Sequence, residues 1–132
     1  MLGLKPFECI VIRNVAGRFA TAATDITALD TLFHISQLVL LQHSNCGASH
    51  VTKGQVLDSI RAKRATITSD ELAQIALRLP MVPNNDRELV EDLKAVKECT
   101  FIRKDLLDTV VGLYLDVDTG VVRIVSPDGS KI

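Results

Sequence analysis

His43 and Cys46 are separated by two residues at the end of a short apolar run, and Gly47 follows them directly. An imidazole nitrogen and a thiolate sulfur at this spacing can turn toward one metal ion, and the pair suits zinc in particular. Zinc needs more than two protein ligands, and His50, a turn further along, is the candidate third. The same residues admit a plainer role, with His43 bonding a loop carbonyl, Cys46 filling a small gap and His50 facing solvent. Upstream, Arg13-Asn14-Val15-Ala16-Gly17 has neither the glycine spacing of a dinucleotide site nor the Lys-Ser/Thr of a nucleotide-phosphate loop.

The elements that must position these residues can be read from periodicity. Leu38-Val39-Leu40-Leu41 is a nearly continuous apolar segment, which predicts a parallel strand covered on both faces, with His43 and Cys46 just past its carboxyl end. Open α/β sheets place ligands at such strand ends. Cys9-Ile10-Val11-Ile12, short and β-branched, predicts another buried strand that exits at Gly17, where a positive φ is available. Between the two, Ile26, Leu29, Leu32 and Phe33 form an apolar stripe over a helix at 26–36, capped by Thr24 or Asp25. Thr52 with Gln55, and Thr68 with Glu71, have the spacing of capping boxes that open two further helices. Pro80 stops the second, and Pro83-Asn84-Asn85-Asp86 is a break. A charged helix from Arg87 to about Lys97 turns Leu89, Leu93 and Val96 inward. Val110–Val117 and Val121–Val125 flank Asp118-Thr119-Gly120, a hairpin signal. The order strand, helix, strand, several helices, hairpin predicts one three-layer α/β domain over 1–132, with a mostly parallel central sheet and a C-terminal hairpin.

Composition narrows the function classes. The chain has 132 residues, of which 47% are hydrophobic, enough for one core and too many for a disordered chain. A formal net charge of -1 gives no field for broad nucleic-acid binding, and 4% aromatics with no Trp leave few stacking platforms for single strands. No run of about twenty apolar residues predicts a membrane span. Three cysteines and the absence of a secretion signal in the first residues argue against a disulfide framework and for a cytoplasmic protein.

Several stretches, taken in order, resemble the β-class carbonic anhydrases, and among them the short fungal-type members. They are Leu2-Gly3-Leu4-Lys5-Pro6, Val11 through Arg18, Ala28-Leu29-Asp30-Thr31-Leu32-Phe33-His34, the Leu38-to-Gly47 strand and loop, and Leu115-Asp116-Val117-Asp118-Thr119-Gly120. The resemblance implies that His43 and Cys46 are the second and third zinc ligands. It implies that Arg13, Asn14, Ala16 and Gly17, with Gly47, border the active site, and that Asp118 and Gly120 serve a structural turn. In the family another cysteine ligand is followed by an aspartate and an arginine that orient the metal-bound water, on a central strand ahead of the Gly-Leu-Lys-Pro stretch. Met1 stands immediately before that stretch, so the Cys-x-Asp-x-Arg segment and the first central strand are expected to be missing. Neither Cys9 nor Cys99 is placed to substitute, and no catalytic residue can be assigned here.

Two functional expectations follow from the resemblance. One is zinc-dependent interconversion of carbon dioxide and bicarbonate, with His50, another chain or a solvent ligand completing the metal site. The other is a non-catalytic structural or interaction protein of the same fold, with a partial or empty zinc site. Both expect a homo-oligomer, a dimer or larger, and the Val121–Val125 edge independently favours pairing with another chain.

Overall fold

The computed structural model describes residues 3–81 and 85–129. An irregular stretch runs into a 3₁₀ turn at Val15–Gly17, and helix α1 follows at Phe19–Phe33. Strand β1 spans Val39–His43, and a second 3₁₀ turn, Gly47–Ser49, comes directly after the Cys46 position. Helices α2 (Lys53–Lys63), α3 (Ser69–Arg78), α4 (Asn85–Glu98) and α5 (Lys104–Leu107) lead to β2 (Val111–Leu115) and β3 (Val122–Val125). The strands form one sheet in the order β1-β2-β3. β1 and β2 are parallel, with Val39 opposite Val111 and His43 opposite Leu115. Parallel neighbours need a long crossover, and α2 to α5 supply it. β2 and β3 are antiparallel. Their connection is the expected tight turn, closed by the Gly120 amide donating to the Asp116 carbonyl at 2.8 Å, with Gly120 at φ 73°.

The core lies between one face of this sheet and two helices. α4 presents Leu89, Leu93 and Val96, at 0%, 1% and 0% exposure, to Leu40 and Val125 on the sheet and to Phe19, Ala22, Ala23 and Ile26 of α1. Each fully buried aliphatic side chain here contributes roughly 1.5–3 kcal/mol of transfer free energy. Gly112 marks the closest approach, because a Cβ there would stand 2.6 Å from Leu93 Cδ1 and 2.9 Å from the Val125 carbonyl oxygen. The two capping boxes form as expected. The Gln55 amide donates to Thr52 Oγ1 and the Glu71 amide to Thr68 Oγ1, both at 3.2 Å, and each carboxamide or carboxylate bonds back to the cap amide at 2.8 Å.

Four expectations need correction. Ile10–Ile12 forms no strand, and its side chains are exposed. A β-branched run becomes a strand only beside a partner that takes up its amides and carbonyls, and the sheet ends at β1 instead. β1 is a strand as predicted but is covered on one face only, alternating exposed and buried along its length. Among the described residues the sheet is a small mixed one, with one parallel and one antiparallel pairing, not a mostly parallel one, and α4 packs on both β1 and β2. Finally, α1 begins at Phe19, well before Thr24 and Asp25, and its buried stripe is Phe19, Ala22, Ala23, Ile26 and Asp30, leaving Leu32 and Phe33 exposed. Small alanines on that stripe let α1 approach α4, a signal weaker in hydropathy than Leu32-Phe33 but at correct helical spacing. Of the break expected at Pro83-Asn84-Asn85-Asp86, Pro83 and Asn84 lie outside the described residues, while Asn85 and Asp86 already belong to α4.

Candidate functional site

His43 is the last residue of β1, and Cys46 the residue ahead of the Gly47–Ser49 turn. The intervening loop is pinned on both sides. The Ser44 amide donates to the Leu115 carbonyl at 2.8 Å, and Ser44 Oγ accepts from the Val117 amide at 2.9 Å. Asn45 takes a left-handed conformation, φ 50°, which turns the chain toward Cys46. The Cys46 carbonyl then accepts from the Ser49 amide at 2.9 Å and from Ser49 Oγ at 2.7 Å.

The two candidate ligands sit in opposite environments. Cys46 is buried with Ala16 and Ala48, and Met81 packs against the three. His43 is exposed. Its Nδ1 lies 2.8 Å from the Ser44 carbonyl, which can only accept, so Nδ1 donates there. The plainer role anticipated for these residues, a loop carbonyl for His43 and a small apolar gap for Cys46, is also met in full. His50 points Nε2 at Asn45 Oδ1, 2.7 Å away. Among the described residues no group of three or more His, Cys, Asp and Glu side chains is arranged to hold a metal ion. Among those residues, then, no third group joins His43 and Cys46 to give the three protein ligands that a catalytic zinc site takes.

The bordering residues are brought to the same end of β1. The Val15–Gly17 turn packs on the Gly47–Ser49 turn, which is how Ala16 meets Cys46 and Ala48. Ala16 and Gly17 both have positive φ, 63° and 62°. For Gly17 this is free of strain, and the lack of a side chain matters because a Cβ would lie 3.2 Å from the Leu41 carbonyl oxygen. Asn14 Nδ2 donates to the Arg18 carbonyl at 2.8 Å and to Thr21 Oγ1 at 2.7 Å, tying the turn to the start of α1. Arg13 is exposed and stands apart from this packing.

Beneath the turn lies a polar network that the sequence reading missed. Gln42, 2% exposed, donates from Nε2 to Asp92 Oδ2 at 3.0 Å, and Asp92, 1% exposed, pairs with Arg18 Nη2 at 3.1 Å. Arg18 also pairs with Glu88. Burial pushes the Asp92 carboxyl above the ordinary aspartate value, against the opposing pull of the Arg18 guanidinium. Gln42 Oε1 and Asn14 Oδ1 are buried without a hydrogen-bond partner. Two signals could have found this network: a lone glutamine ending an apolar strand, and an aspartate at position 92 inside the 89, 93, 96 apolar face of α4.

Comparison with known proteins bears on this geometry. No family model matches the chain, and no curated protein matches it. Solved structures do. The chain is similar to a carbonic anhydrase from Streptococcus mutans at 25% identity and a TM-score of 0.76, covering 95% of this chain and 71% of that one. It is similar to a β-carbonic anhydrase from Trichomonas vaginalis at 19% identity and a TM-score of 0.70, covering 92% and 70%. The chain has a β-carbonic-anhydrase-like fold. A carbon disulfide hydrolase in its apo form is similar to the same extent, at 18% identity and a TM-score of 0.76 over 92% of this chain and 68% of that one. One scaffold thus carries proteins of different stated activity, and the reaction has to be argued from the residues.

Proposed function

We propose that this chain is a non-catalytic structural or interaction protein of the β-carbonic-anhydrase-like fold, with His43 and Cys46 as a partial zinc site. The observation that carries the reading is the disposition of those two side chains. One is exposed with its Nδ1 on a loop carbonyl, the other is buried among alanines, and no third metal-binding group joins them among the described residues. Two ligands leave a dication with only one thiolate to offset its charge, so affinity is weak and strongly pH-dependent. Turnover of carbon dioxide and bicarbonate, the competing reading, needs in addition a group that holds the attacking water in place. The carboxylate–guanidinium pair beneath the turn, Asp92 with Arg18, has its carboxylate buried and serves packing. The Val122–Val125 edge, with Val121 and Ile124 exposed, suits an assembling protein.

Competition titration with a chromogenic zinc chelator tests the metal half of the reading. Weak zinc binding that disappears in both His43→Ala and Cys46→Ala is the expected result. Tight, stoichiometric zinc that survives Cys46→Ala would show that the metal is held elsewhere.

A further inference from the structure

Residues 64–68 join α2 to α3, and every side chain among them except Ile67 is exposed. The Ile67 amide donates to the Arg64 carbonyl at 3.0 Å, which closes a turn with Ala65 and Thr66 at its tip. The two threonines of this corner differ in what their hydroxyls do. Thr68 Oγ1 accepts from the Glu71 amide at 3.2 Å and donates to Glu71 Oε2 at 2.8 Å, as the cap of α3. The Thr66 hydroxyl has no hydrogen-bond partner among the described residues. Charge around Thr66 lies on one side of it. Lys63 and Arg64 stand three and two places before it, Arg61 precedes them, and Ile67, Thr68 and Ser69 after it are uncharged. Thr66 alone among the serines and threonines of the chain has a cation at both of those places. Lys63 and Arg64 are exposed and form no salt bridge among the described residues, while Arg61 meets Asp58 at 3.4 Å. The segment can also be drawn out at small cost. α2 has no buried residue, and its last turn is closed by the Arg64 amide on the Ile60 carbonyl at 2.9 Å, so unwinding that turn gives up little packing.

We propose that Thr66 is a phosphorylation site for a basophilic serine/threonine kinase, one whose substrate cleft carries carboxylates for the cations ahead of the acceptor. The reaction transfers the γ-phosphoryl group of a nucleoside triphosphate. Thr66 Oγ1 forms the new P–O bond and the bond to the β-phosphate oxygen breaks. The hydroxyl proton passes to the kinase's base, and nucleoside diphosphate leaves. Kinases discriminate substrates by charge pattern, and here the pattern, an unengaged hydroxyl and an exposed turn coincide at one residue. Thr68, two places on, fails the same test because its hydroxyl is committed to the cap. The phosphate brings a charge of about −1.5 to −2 beside Lys63 and Arg64 and so neutralises the cationic end of α2. That makes this corner a surface whose charge can be switched. The inference uses neither His43 nor Cys46 and is independent of the zinc reading.

Incubation of the folded chain with magnesium ATP and a purified kinase that requires basic residues three and two places before its acceptor tests this, with the modified residue located by tandem mass spectrometry. One phosphate per chain is expected, on Thr66, and none on the folded Thr66→Ala protein. Lys63→Ala/Arg64→Ala, both on the surface, is expected to keep the circular dichroism of the wild type and to lower kcat/KM for the kinase by about tenfold or more. Phosphate on Thr68 or Ser69 in place of Thr66 would overturn the proposal, and so would an undiminished rate in the double variant. A folded chain that takes up no phosphate would overturn it too, whether or not a synthetic peptide of residues 58–72 is modified.

Discussion

Gln42 and Asp92 are hydrogen-bonded at 3.0 Å in the interior, joining the strand that ends at His43 to the helix beneath it. Through Asp92 the same contact reaches Arg18, at the start of α1, so the Val15–Gly17 turn is anchored from below. Placement of the candidate site therefore depends on a buried ion pair with two carboxylates around one guanidinium. Such pairs add little net stability when whole and are costly when broken.

Arg18→Met should accordingly destabilise the protein by about 3–5 kcal/mol at pH 7, because it strands a buried Asp92 carboxylate. The sign of the pH effect follows from Asp92, whose value is already raised in the fold. A raised value means the folded state holds the proton more tightly, so this group favours folding most at low pH and progressively less as pH rises through the folded value. Loss of Arg18 raises it further and widens that window. Urea denaturation between pH 4 and 7 should show the variant recovering toward wild type as pH falls, and Arg18→Met/Asp92→Asn should recover at all pH values. Parallel pH profiles for wild type and the single variant would remove the ion pair from the account.

Asp30 behaves in the opposite direction. Hydrogen bonds from Arg103 Nε at 2.8 Å and Nη2 at 3.0 Å, aided by the Ile35 amide at 2.9 Å, hold its carboxyl below the ordinary value. Its contribution is therefore present above that ordinary value and lost as pH falls through the folded one. Thermal melts of Asp30→Asn should show a lower midpoint than wild type at pH 7, with the gap closing toward pH 3. A gap that stays constant would mean the side chain acts by shape alone.

Gly112→Ala tests the packing of α4 on the sheet. The added methyl meets Leu93 Cδ1 and the Val125 carbonyl, and the second is backbone that has little room to yield. A loss of about 1–3 kcal/mol is expected from overpacking. Leu93→Ala in the same chain should recover only part of it, since the carbonyl contact remains and a cavity opens. Chemical denaturation measures both, and an unperturbed Gly112→Ala would place the helix further from the sheet than described.

Much of the architecture was legible because local signals and tertiary contacts agreed. The Thr52 and Thr68 caps, the Leu89–Leu93–Val96 face, the Leu38–Leu41 run and the Asp118-Thr119-Gly120 turn are each determined by residues close in sequence. The Ile10–Ile12 run misled because strand formation is a property of two segments, and only one of them was visible in that stretch. Leu32 and Phe33 misled because their bulk outweighed the alanines that line the true contact. At the candidate site, residue types singled out the His43–Cys46 loop, but one side chain is exposed and the other buried, and no spacing rule conveys that. Gln42 and Asp92 were missed because their polarity reads as surface, although both stand at core positions.

The central claim is that this fold is present here without an assembled catalytic metal site. Stopped-flow hydration of carbon dioxide, by the purified chain with zinc supplied to saturation and metal content measured, tests it most directly. The account predicts a rate no greater than the same buffer with free zinc, unchanged in His43→Ala and in Cys46→Ala. Hydration well above that background, lost in either variant, would contradict it and show that His43 and Cys46 belong to a working centre.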